Sequence, residues 1–168
     1  MRSISVAALA CAICLALSGG AQATPRSQPD PEYVYYAADA GWFSAQGSRA
    51  GTFNAGVGFR FNKHYAIEAG YEGVFLQGIA INGGYVDAYG YLPLGRRSSV
   101  LLFATAGASY VDSVYINGRG YSASAFGVRG GGGIEWKMSD TWAVRAAVRY
   151  QTTVIDAVTV TAGFTLRL

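Results

Sequence analysis

The stretch GIEWKMSDTWAVRAAVRY, residues 133–150, decides the fold. On its first arm Ile134 and Trp136 alternate with Glu135 and Lys137. On its second arm Trp142, Val144, Ala146, Val148 and Tyr150 alternate with Arg145, Arg149 and then Gln151. Successive side chains of a β-strand point to opposite faces, so a period of two marks an extended strand with one apolar face. Between the arms, Met138-Ser139-Asp140-Thr141 has the polar, turn-favouring residues of a tight connection. The stretch therefore predicts an antiparallel hairpin, apolar on one face and charged on the other.

The same period runs outward in both directions. Upstream, Tyr33–Phe43 sets Tyr36, Ala38, Ala40 and Trp42 against Asp39 and Gly41. Thr52–Phe61 sets Phe53, Ala55, Val57, Phe59 and Phe61 against Asn54, Gly56, Gly58 and Arg60, and Asn62-Lys63-His64 follows as a turn. Tyr65–Phe75 sets Tyr65, Ile67, Ala69 and Tyr71 against Glu68, Gly70 and Glu72. In Asn82–Leu92, Val86, Ala88 and Leu92 oppose Asp87, while Tyr85, Tyr89 and Tyr91 share the Asp87 face; Pro93–Arg97 is a turn. Ser99–Tyr110 carries no charge to mark its faces. Ala123–Lys137 adds Phe126 and Val128 against Arg129. After the hairpin, Ala157–Leu168 sets Val158, Val160, Ala162, Phe164, Leu166 and Leu168 against Thr159, Thr161, Thr165 and Arg167. Eight such segments, about ten residues each, with short turns alternating with looser connections, predict an all-β chain: an eight-stranded antiparallel up-and-down transmembrane β-barrel.

Residues 1–23 read as a cleaved signal peptide: Arg2, an apolar run from Ile4 to Leu17, and the small-x-small Ala21-Gln22-Ala23. The run is too short for a spanning helix, which needs roughly 20 residues. Residues 24–32, TPRSQPDPE, hold three of the four prolines and read as a disordered lead-in, leaving 33–168 as the barrel. Both cysteines, Cys11 and Cys14, fall in the leader, so the mature part has no thiol, disulfide or cysteine metal site. The formal charge of +3 is too mild to suggest nucleic acid.

A soluble barrel would show the same alternation turned inside out, so parity alone does not place the apolar face in lipid. Composition does. Only two lysines, Lys63 and Lys137, occur in the chain, and the polar face is mostly glycine with isolated charges. Aromatic residues gather at two levels: Tyr36, Phe61, Tyr65, Trp136, Trp142 and Phe164 near one rim, with Trp42, Tyr71 and Tyr150 near the other. Two aromatic girdles belong to a bilayer-spanning barrel.

The segments YYAADAGW (35–42), YAIEAGYE (65–72), GIEWKMSDTWAVRAAVRY (133–150) and VTVTAGFTLRL (158–168) resemble the small OmpA/OmpX-like outer-membrane β-barrel family. That resemblance implies a Gram-negative outer-membrane location and recognition of the last strand by the barrel-assembly machinery. Such strands usually end in Phe or Trp, whereas this one ends in Leu168.

The charges on the glycine face, Asp39, Arg60, Glu68, Glu72, Asp87, Arg129, Glu135, Lys137, Arg145, Arg149 and Arg167, are expected to project into the lumen. Five acids against six bases predict an ion-pair network, because unpaired buried charges cost several kcal/mol each. An eight-stranded bore is just wide enough for side chains to fill. No catalytic residue, cofactor site or metal site is expected. His64, the only histidine, sits in a turn, and no serine–histidine–carboxylate set or phosphate loop occurs. The three short turns mark the periplasmic end on this reading, with outer loops at 44–51, 76–81, 111–122 and 153–156. Expected partners are outer-membrane lipid and lipopolysaccharide, the latter through Arg49 and Arg119, and the state expected is a monomer. The function expected is a non-enzymatic structural or surface-interaction barrel, with a narrow porin-like channel as the alternative.

Overall fold

The computed structural model describes residues 32–76, 78–94, 99–153 and 156–168. The expected signal peptide and almost all of the lead-in lie outside the described residues. The strands are β1 (Tyr33–Ala45), β2 (Ser48–Arg60), β3 (Tyr65–Leu76), β4 (Ile79–Pro93), β5 (Val100–Ile116), β6 (Arg119–Lys137), β7 (Trp142–Thr152) and β8 (Asp156–Arg167). Each pairs antiparallel with the next, and β8 pairs with β1 from Tyr35↔Arg167 to Ser44↔Val158, closing the barrel. Closure gives the backbone polar groups partners in a medium that offers no water.

Two turn chemistries join the strands. At the end shared by Tyr33 and Leu168, the Asn62 side-chain oxygen accepts the amides of His64 (2.7 Å) and Tyr65 (3.0 Å). The Ser139 hydroxyl likewise accepts the amides of Thr141 and Trp142. At the opposite, distal end, Gln46-Gly47 and Asn117-Gly118 make two-residue hairpins with φ of 47° and 83°, and 48° and 78°. Both residues of such a turn are left-handed, and its twist matches that of the flanking strands. The longer outer loops expected at 44–51 and 111–122 are therefore strand almost throughout. Turn length consequently does not distinguish the two ends; strand extension does. β6 pairs with β7 only from Val128, so Arg119–Gly127 rise beyond Thr152.

Parity holds along the charged strands and settles the two unmarked ones. In β5 Leu101, Phe103, Thr105 and Ser109 are buried inward, and in β4 Tyr85, Tyr89 and Tyr91 point inward with Asp87. Glycines make room for these rings. A Cβ on Gly58 would fall on the Tyr35 ring, and one on Gly70 would meet the Ala55 carbonyl oxygen, the Gly56 Cα and the Tyr85 ring. The interior has two apolar ends, Tyr35, Tyr89, Tyr91, Leu101 and Phe103 at one and Phe43, Ala45, Ala50, Val74 and Ala157 at the other. Between them lies a charged middle.

Candidate functional site in the barrel lumen

β1, β3, β4, β6 and β7 each aim an inward position at this middle layer. From β7, Arg145 bonds two carboxylates at once: Nε and Nη2 donate to Asp39 at 2.7 and 2.6 Å, and Nη1 and Nη2 to Glu68 at 2.7 and 3.0 Å. Glu68 also accepts from the hydroxyls of Tyr85 (2.8 Å) and Tyr89 (3.3 Å). Further along the same face of β7, Arg149 donates to Thr161 (3.2 Å) and Tyr89 (3.1 Å), and it stands 3.9 Å from both Asp39 and Asp87. From β6, Arg129 pairs with Glu72, approaches Asp87 at 3.1 Å and lies 4.3 Å over the Tyr85 ring. All of these charged side chains are buried.

A second group closes the lumen near the termini. Arg60 donates to Glu135 at 2.9 Å and to the Tyr33 hydroxyl at 3.2 Å, and its guanidinium sits 3.8 Å over the Tyr91 ring. Stacking a guanidinium on an aromatic face keeps its charge favourably placed where water is scarce.

Two bases expected in the lumen lie instead at its mouth. Lys137 is exposed, and Arg167 is half-buried with its guanidinium 4.4 Å from the Tyr33 ring centre. Both end their strands, β6 and β8, at the mouth; Arg60 also ends its strand, β2, but is buried against Glu135 and the Tyr91 ring, so inward parity alone does not set burial at this end. The deep set is thus five carboxylates with four guanidiniums, Arg60, Arg129, Arg145 and Arg149. Sequence reasoning also missed the tyrosine hydroxyls as members of the network. The signal was present, since Tyr85, Tyr89 and Tyr91 share the Asp87 face.

On the outer surface Tyr36, Trp42, Phe61, Tyr65, Tyr71, Trp136, Trp142 and Phe164 are exposed, and Tyr150 is half-buried on the same face. Between the aromatic levels the surface is Val57, Val86, Leu102, Val148 and Val160, all exposed. Water would be a poor solvent for so continuous an apolar belt. His64 is exposed in its turn, its Nδ1 3.2 Å from the Tyr91 carbonyl oxygen. Among the described residues no three His, Cys, Asp or Glu side chains are grouped to hold a metal ion.

A closed eight-stranded barrel, apolar outside and charged within, defines a bilayer-spanning protein of the outer-membrane type. Residues 7–167 match the outer membrane protein beta-barrel domain family, and the chain belongs to that family. Among solved structures it is similar to Neisserial surface protein A (TM-score 0.67, 17% identity, 82% of this chain and 97% of that one). It is also similar to the N-terminal barrel domain of Pseudomonas aeruginosa OprF (0.65, 11%, 84% and 100%). A third likeness is to Ail of Yersinia pestis (0.56, 15%, 82% and 97%). At these identities the likeness is one of fold. Among curated proteins none matches the chain. The protein is an outer-membrane β-barrel, located in the bacterial outer membrane.

Proposed function

We propose that this protein is a non-enzymatic structural barrel whose lumen is closed by ion pairs and which contributes to the integrity of the outer membrane. The observation that carries the reading is the middle of the lumen, where Arg149, Tyr89, Glu68 and Asp87 are fully buried side chains. A conducting pore needs a hydrated path, and here guanidinium, carboxylate and phenol groups occupy that path and bond to one another. Hydrolysis of a lipid ester would need a base beside a nucleophile. The single histidine lies in a turn with a backbone carbonyl for its neighbour.

The end bearing Tyr33 and Leu168 faces the periplasm on this reading, since the chain approaches the membrane from there. The distal hairpins then meet the outer leaflet, with exposed Arg49 and Arg119 placed to pair with lipopolysaccharide phosphates. The last strand, ending in Leu168, is the element offered to the assembly machinery, and the barrel works as a monomer.

The test is a deletion strain scored for resistance to detergents and bulky apolar antibiotics, complemented with wild type or His64→Ala. Equal rescue by both, with lipid A masses unchanged by overexpression, is the expected result. A change in lipid A mass that depends on the intact chain would overturn the reading.

A further inference from the structure

Above the ion-pair layer, the distal end of the lumen holds a cavity of about 160 Å³. Its walls are apolar: Phe43 from β1, Val74 from β3, Ile81 from β4, and Val111 and Val114 from β5. Its polar lining includes Glu72, Asn82, Ser109, Gln151 and Thr153, of which Glu72, Ser109 and Gln151 are each under a tenth exposed. Glu72 is taken up by Arg129. The Ser109 hydroxyl is buried and makes no hydrogen bond. A buried hydroxyl left unbonded costs about 1–3 kcal/mol, so its position here calls for a partner.

The strand geometry at this level is special. β5 skips a residue at Asp112 in both of its pairings: Val111 faces Gly83 and Ala125, while Ser113 faces Asn82 and Ser122. Below the irregularity the inward positions of β5 are odd-numbered, 101, 103, 105 and 109. The extra residue reverses the parity, so Val114 joins Val111 on the same cavity wall. A bulge re-aims side chains at the cost of ladder hydrogen bonds. In this barrel it adds an apolar side chain to the lining of a cavity at the distal end of the lumen and does not fill it.

We propose that this cavity is a binding site for a small, uncharged, largely apolar molecule carrying one hydrogen-bonding oxygen, such as a short alcohol, ester or phenol. The size sets the class, because a largely apolar cavity of about 150 Å³ has room for a benzene-sized guest. Charge is excluded by the lining, where the one carboxylate already has its guanidinium. The oxygen accepts from the Ser109 hydroxyl or the Gln151 amide, and the hydrocarbon part packs against Phe43, Val74 and Ile81. The site meets the ion-pair layer below at Glu72, whose carboxylate is held by Arg129, and it stands whether or not the barrel proves to be structural.

The probe is 4-fluorobenzyl alcohol, titrated into the full mature chain in lipid nanodiscs with methyl-labelled Ile and Val. Saturable shifts of the Ile81, Val74, Val111 and Val114 methyls are expected, with no saturation at lipid-facing Val148 and Val160. Val114→Phe fills the cavity and abolishes the saturable component, and Ser109→Ala weakens it about fivefold to tenfold. Gel mobility of unboiled samples verifies that each variant is folded. Shifts that rise linearly and equally at Val148 and Val160 show bilayer partition only and overturn the proposal, as does unchanged binding to folded Val114→Phe. If Val114→Phe does not fold, Val111→Leu, a smaller filling, replaces it with the same two outcomes.

Discussion

Arg145→Ala removes a guanidinium that bonds both Asp39 and Glu68, and its cost can be worked from the contacts it leaves behind. Four hydrogen bonds disappear, between 2.6 and 3.0 Å long. Glu68 keeps the hydroxyls of Tyr85 and Tyr89, while among the described residues Asp39 keeps Arg149 at 3.9 Å. Removing one member of a buried ion pair costs about 3–5 kcal/mol, most of it the penalty of the carboxylates stranded without a cation. With a urea slope of about 2 kcal/mol per molar, a 4 kcal/mol loss lowers the unfolding midpoint by about 2 M. The assay is urea unfolding of the protein refolded in lipid vesicles, followed by tryptophan fluorescence and by gel mobility without boiling. A control separates stranded charge from lost packing: Asp39→Asn, Glu68→Gln and Arg145→Met together remove all three charges and should recover most of the loss. An Arg145→Ala midpoint within about 0.5 M of wild type would refute the reasoning, as would a triple variant no better than the single one.

Lys137→Ala, at the exposed mouth, should change stability by less than about 1 kcal/mol in the same titration, in contrast to Arg145→Ala. Gly70→Leu should block folding or cost at least about 2 kcal/mol, because its side chain would overlap the Gly56 backbone and the Tyr85 ring; loss of the fast-migrating gel band reads it. Val148→Arg should cost about 2–4 kcal/mol in vesicles, since Val148 belongs to the lipid-facing belt; an unchanged unfolding curve would remove it from that belt.

The eight strands and their inward faces were legible in the sequence because a single period organises them, and charge marks the inner face of most. Two residues resisted that logic. Lys137 and Arg167 have the parity of lumen residues, but alternation does not encode burial at a strand end, where Arg60, also the last residue of its strand, is buried against Glu135 and Tyr91. The distal connections resisted it for another reason. Gln46 adopts a left-handed conformation in a two-residue hairpin, and glutamine there gives no turn signal comparable to that of Asn117-Gly118. The cavity beneath those hairpins was illegible too, because its walls depend on the skipped residue at Asp112, and a break in register shows only when strands are paired. The tyrosines of β4 were legible as a face but not as ligands of Glu68, a contact that crosses from β4 to β3 and, for Tyr85, uses the space left by the glycines at 56 and 70.

The central claim is a lumen closed by bonded charge, and planar-bilayer recording of the purified protein tests it most directly. Wild type should show no discrete conductance steps over hours at moderate voltage, because the bonded Arg145, Glu68 and Asp39 leave no hydrated path. Reproducible unitary steps from folded wild-type protein, abolished by boiling, would contradict it.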